Sequence, residues 1–214
     1  MRKLLFTIAA VASFTAMSAQ TGTVTITGIA NAVELPGDNV TTHTVTVDLP
    51  SIAIIDVHSV AATGTPTGEV SDITFSIAAT DVNEAGLFMN VANIPSAKVR
   101  VNHTYVPTVA SSDTVITVEL DAAIPGFNLN LKSGVDSGAM VGEPGDLVIL
   151  DLPMVPTTAV TVRNGILASY TLDGPTNGTE LEYYLTEDTT TFGGLDASGT
   201  GVMQSTLTYT ISAL

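Results

Sequence analysis

Thr206-Leu207-Thr208-Tyr209-Thr210-Ile211-Ser212 decides how the rest of the chain is read. Successive side chains of an extended backbone point to opposite faces, so Leu207, Tyr209 and Ile211 share one side and the hydroxyl residues share the other. One dry face and one wet face predict a half-buried β-strand, because a helical period would scatter the same residues around an axis. Threonine suits the wet side. Its branched Cβ fits a pleated surface while its hydroxyl meets water.

The same pattern recurs along the chain. Phe127, Leu129 and Leu131 alternate with Asn128, Asn130 and Lys132, and Val99, Val101 and His103 alternate with Lys98, Arg100 and Asn102. Further runs span Val24 to Thr27, Thr44 to Leu49, Ile52 to Val57, Ile73 to Ala78, Thr114 to Leu120, Leu147 to Leu150, Ala159 to Arg163, Ile166 to Leu172 and Leu181 to Thr186. Turn chemistry separates them at Pro36-Gly37-Asp38-Asn39, Gly64 to Gly68, Gly142 to Asp146, Asp173-Gly174 and Asn177-Gly178, while Gly193 to Gly201 reads as a longer excursion. About a dozen short strands at this spacing predict an all-β fold, an antiparallel β-sandwich of immunoglobulin-like kind. Asp48-Leu49-Pro50 and Asp151-Leu152-Pro153 each close an apolar run. We read that echo as a recurring strand ending within one elongated domain over residues 20–214, with two tandem sandwiches as the alternative.

Arg2 and Lys3 precede an apolar stretch from Leu4 to Phe14, and Ala16-Met17-Ser18-Ala19 follows it. This layout predicts a secretory signal peptide over residues 1–19, cut after Ala19 to leave Gln20 first, with a cut after Ser18 as the alternative. The stretch is too short to cross a bilayer, for which a helix needs about twenty apolar residues, so no transmembrane anchor is expected. The expected location is outside the cytoplasm of a bacterium, in the periplasm, at the cell surface or in the medium. Removing the leader takes two of the six basic residues and none of the twenty-one acidic ones, leaving four against twenty-one, a net charge of −17. A chain so acidic is repelled by nucleic acid and by anionic membranes, so no nucleic-acid partner is expected. The sequence contains no cysteine, which removes disulfide staples and thiolate chemistry together.

The residues that could carry chemistry are few. Imidazoles occur at His43, His58 and His103, each within or ending a strand-like run. Asp56 and His58 share a strand face by their spacing of two, but Ser59 points the opposite way, so no nucleophile sits beside that base. Hard cations prefer several convergent oxygens. Asp81 to Gly86 begins like a calcium loop yet has Ala85 at a ligand position and lacks the distal glutamate. The metal candidates are therefore Asp136, Glu143 and Asp146, or Glu187 with Asp188, and calcium is the one cofactor these acidic loops admit. Without tryptophan, and with aromatic residues at 5% of the chain, a sugar-stacking cleft of the two-carboxylate type has little to be built from. No enzyme is expected. Asn39, Asn102 and Asn177 each begin an N-glycosylation triplet, and Asp113-Thr114-Val115 is similar to a short bacterial O-glycosylation motif.

Several stretches together carry a likeness: Ala19-Gln20 at the leader's end, Val45-Thr46-Val47-Asp48-Leu49-Pro50, Ile73-Thr74-Phe75-Ser76-Ile77, Asn128-Leu129-Asn130-Leu131-Lys132 and Leu207-Thr208-Tyr209-Thr210-Ile211. At the level of pattern, and over most of the chain, it resembles secreted pilin-like β-sandwich surface proteins of Gram-negative bacteria. The resemblance implies a fimbrial or extracellular-matrix subunit that works by self-assembly or by meeting other surface proteins. It departs from chaperone-assembled pilins in lacking their cysteine pair. The segment Gly22 to Ala30, with Val24, Ile26 and Ile29, has the apolar alternation of a strand that adds to a neighbour's sheet edge. A calcium- or carbohydrate-binding sandwich module is the alternative reading.

Overall fold

A computed structural model describes residues 19–29, 40–60, 66–69, 72–77, 91–108, 114–192 and 203–213. The expected leader lies outside the described residues except for Ala19, and Pro36 to Asn39, Asp81 to Gly86 and Gly193 to Gly201 lie outside them altogether. The chain divides into two compact units, Met1–Ser51 and Ile52–Leu214.

In the first unit, β1 (Ala19–Ile29) and β2 (Val40–Pro50) pair antiparallel along their whole length, from Ala19 opposite Pro50 to Ile29 opposite Val40. The register sets Thr23, Thr25 and Thr27 against Thr46, Thr44 and Thr42. Together the two strands make a sheet of their own. Val45 and Val47 stand 37% and 48% exposed on β2.

The second unit holds β3 (Ile52–Val60), β4 (Pro66–Glu69), β5 (Ala97–Val106), β6 (Thr114–Leu120), β7 (Phe127–Ser137), β8 (Met140–Gly142), β9 (Asp146–Leu147), β10 (Asp151–Pro153), β11 (Val160–Ile166), β12 (Ser169–Thr171), β13 (Gly178–Glu187) and β14 (Leu207–Ala213). β5 is the hub of the larger sheet. One edge pairs with β3, and the other pairs first with β13 and then, further along, with β12. β7 and β10 continue the sheet beyond β13, β8 continues it beyond β12, and β4 lies outside β3. The smaller sheet runs β14-β6-β11-β9. All these pairings are antiparallel.

The expected alternation explains which face each strand buries. Val99 and Val101 of β5, Leu129 and Leu131 of β7, and Leu181 and Tyr183 of β13 turn inward from the larger sheet, and Ile116 and Val118 of β6 and Val162 of β11 from the smaller one, into one shared core. Leu207, Tyr209 and Ile211 pack against that core while Thr208, Thr210 and Ser212 stay exposed. The hydroxyls of Tyr183 and Tyr209 meet at 2.7 Å, a polar bond inside the core that joins the two sheets. Burial raises the pKa of both phenols, so the pair stays neutral.

Three expected strands differ. Ile73, Phe75 and Ile77 are half-buried against the core, yet residues 72–77 belong to no strand: alternation reports which side chains are dry, and says nothing of a neighbour in hydrogen-bonding register. Within Leu147 to Leu150 only Leu147 lies in a strand, because the Ser133 hydroxyl takes over the ladder's role, donating to the Val148 carbonyl and accepting from the Leu150 amide. The run from Ile166 to Leu172 contains the end of β11 and then β12, with Leu167 and Ala168 between. Asp48-Leu49-Pro50 ends β2, whereas Asp151-Leu152-Pro153 is the whole of β10, with Val148 to Leu150 outside any strand.

Leu181 is fully buried at the centre of the larger sheet, whereas Ile54 of β3 is 59% exposed. Leu181→Ala is expected to cost about 2–5 kcal/mol of unfolding free energy, and Ile54→Ala less than about 0.5 kcal/mol. Urea denaturation of the two variants beside the parent chain measures both.

Candidate functional site

β3 and β5 place an unusual trio on the outward face of the larger sheet. Asp56 and His58 share that face by their spacing, and β5 sets Asn102 opposite Asp56 and Arg100 opposite His58. The third member comes from far along the chain: Asp173, in the turn after β12. Its position is bracketed by two amides, Asn102 donating to the Leu172 carbonyl and Asn177 to the carbonyl of Asp173 itself at 2.7 Å. Gly174, with φ of 100°, supplies the left-handed step that turns the chain here.

The imidazole Nε2 of His58 lies 3.2 Å from Asp56 Oδ2 and 3.1 Å from Asp173 Oδ1. The His58 side chain is 7% exposed, against 50% for Asp56 and 87% for Asp173. Asp56 uses its other oxygen to accept from the Val57 amide at 2.8 Å. His58 Nδ1 and Asn102 Oδ1 are both buried without a partner among the described residues. Among the described residues this is the one group of three or more histidine or acidic side chains whose ligand atoms lie within 4.8 Å of one another.

No protein-family description, curated protein or solved structure matches this chain.

The acidic candidates read from the sequence occupy a different place. Asp136, at the end of β7, and the turn from Glu143 to Asp146 do come to one point, and the guanidinium of Arg163 fills it. Arg163 is 1% exposed. It reaches Asp136 Oδ1 through Nη2, the carbonyls of Pro144 and Gly145 through Nη1 at 3.2 and 2.8 Å, and the Thr179 hydroxyl through Nε and Nη2 at 3.2 and 2.9 Å. Thr179 in turn donates to Asp136 at 2.9 Å. The cation at this spot is a side chain, and Asp136, Glu143 and Asp146 form no group of ligand atoms within 4.8 Å. Strict alternation would have turned Arg163 outward, away from Val162. A register shift of β11 against β6 between Thr161 and Arg163 buries both neighbours.

Among the described residues Glu187 and Asp188 gather no ion-binding cluster either: Asp188 spends its oxygens on the hydroxyls of Thr190 and Thr191 and on the Thr190 amide at 2.9 Å, which hold its carboxyl below the usual carboxylate range. Asn102 is 4% exposed and Thr114 fully buried, so neither can accept a glycan in this fold. On the outward face, Glu180 receives both Lys98 at 3.0 Å and Arg100 at 2.7 Å.

His103 sits on the inward side of β5, 3% exposed, with Nε2 3.3 Å from the Ser169 hydroxyl. Burial, reinforced by the positive charge of Arg163 and opposed by Asp136, lowers its pKa to about 4. The unfolded chain holds its proton up to about 6.5, so the unfolded state binds more protons between those values. Stability from this group is fully present above pH 6.5 and is lost as pH falls towards 4, a difference of about 3 kcal/mol. His103→Gln is expected to flatten that part of the stability profile when unfolding free energy is compared at pH 7 and pH 4. Asp136→Ala strips the counter-ion from a buried guanidinium and is expected to cost about 3 kcal/mol, against less than about 0.5 kcal/mol for Glu143→Ala, both read by urea titration at pH 7.

Proposed function

We propose that this chain is an exported, non-enzymatic structural or cell-surface protein, a subunit whose larger unit is a β-sandwich of immunoglobulin-like or pilin-like kind and whose N-terminal ribbon joins it to other copies. One observation carries this reading: β1 and β2, eleven residues each, pair only with one another among the described strands. Each strand therefore keeps one edge of amides and carbonyls outside any ladder, the surface on which a further strand adds. A lone two-stranded ribbon is also marginal in water and gains most from such an addition. The expected donor segment from Gly22 is paired to β2 through Ile29, so it would join a neighbour by its second edge.

Supporting features lie elsewhere in the molecule. Lys98, Arg100 and Arg163 are engaged by carboxylates, which leaves the acidic excess to keep single copies apart before assembly. No helix among the described residues is long and apolar enough to cross a membrane. Secretion follows from the expected leader.

Negative-stain microscopy of the concentrated protein lacking residues 1–19 is expected to show regular fibres. Val45→Lys with Val47→Lys, both at exposed positions of β2, is expected to abolish them while shifting the melting temperature of the larger unit by no more than about 2 °C. Single particles from the parent protein at every concentration overturn the proposal.

A further inference from the structure

We propose that Asp56, His58 and Asp173, with Asn102 beside them, form a binding site for a divalent ion of the zinc class on the outward face of the larger sheet. Two carboxylates of separate chain segments converge on one imidazole nitrogen. That nitrogen has a single bond axis and carries at most one proton, so it satisfies one of the two oxygens well. The other oxygen is left within 3.2 Å of the same nitrogen with no proton between them. A divalent cation at the point of convergence removes the conflict, accepting the nitrogen lone pair and an oxygen from each aspartate.

The spacing fits. Ligand atoms about 2.1 Å from a tetrahedral zinc stand about 3.4 Å from one another, and the nitrogen lies 3.2 and 3.1 Å from the two oxygens. A second, independent feature points to a ligand. Asn102 is 4% exposed and stands opposite Asp56, in the strand between β3 and the turn that carries Asp173. Its amide nitrogen is committed to the Leu172 carbonyl, which fixes the orientation of the carboxamide and leaves Oδ1 buried, without a partner and turned away from Leu172. An uncompensated carbonyl oxygen of this kind is a fourth donor or the acceptor for a metal-bound water.

The donor set selects the ion. One imidazole with two carboxylates suits zinc and its borderline neighbours, whereas calcium takes six to eight oxygens and no nitrogen. The absence of cysteine leaves no thiolate in competition. Among the described residues His58 Nδ1 has no partner to orient the ring. Support of that kind is worth roughly 10–100-fold in affinity, so the site is weaker than a structural zinc site. The exposed aspartates leave the ion within reach of solvent and of a further ligand.

Isothermal titration calorimetry of zinc chloride into the full chain at neutral pH tests this. One equivalent is expected to bind, and Asp173→Asn, at a residue whose side chain is 87% exposed and outside every strand, is expected to weaken it at least about tenfold. Asp146→Asn, at an exposed acidic residue elsewhere, is expected to leave affinity unchanged, and millimolar calcium is expected not to displace the zinc. Equal affinity of Asp173→Asn and the parent overturns the proposal, as does the absence of zinc binding or displacement by calcium. Circular dichroism melting of the metal-free variant keeps the outcome interpretable: an unchanged melt assigns lost affinity to the ligand, and a lowered melt is followed by Asp56→Asn, which must also weaken zinc for the site to stand.

Discussion

A buried guanidinium must find a partner for every nitrogen or the fold does not close around it. Arg163 meets that condition only where three segments arrive together: β7 with Asp136, β13 with Thr179, and the turn that offers the Pro144 and Gly145 carbonyls. Because Arg163 belongs to the smaller sheet and both side-chain partners to the larger, this one residue fixes how the two sheets face each other at that end. About 13 Å further along β13, at four residues of strand rise, Tyr183 and Tyr209 make the second polar link. Apolar burial supplies most of the attraction between the sheets, and these directional contacts select one arrangement out of those that burial alone would accept.

The division between a dry and a wet face was legible wherever the strands are regular. Phe127, Leu129 and Leu131, and Val99 and Val101, were read correctly as inward from period two alone. Reading failed where the backbone departs from that period. The register shift in β11 turns Arg163 inward, and a serine hydroxyl replaces the ladder beside Val148, neither of which leaves a mark in side-chain alternation. The extended strand from Ile73 was expected for the right reason, since its apolar residues are partly buried, but burial on one face does not supply a neighbouring strand.

The same limit explains why the outward trio was half visible. Asp56 and His58 announce themselves by spacing. Asp173 does not, because it looks like any turn aspartate before glycine, and only the pairing of β12 with β5 brings it within 3.1 Å of His58. Of the acidic candidates, Asp136 meets the Arg163 side chain where a metal ion was expected, and the turn from Glu143 to Asp146 contributes the Pro144 and Gly145 carbonyls and not its carboxylates. In a sequence with few basic residues, an arginine directly after Val160-Thr161-Val162 was the available clue, and strict alternation hides it by placing it opposite Val162.

The order in which partners appear along the chain has a consequence for synthesis. β6 pairs with β14, Leu120 lying opposite Leu207 and Thr114 opposite Ala213. An elongating polypeptide therefore carries one bare edge of the smaller sheet until residues 207–213 have left the ribosome, and pairings so distant in sequence form slowly in any case. Through most of translation the chain is unable to complete its core, and its last strand closes the smaller sheet.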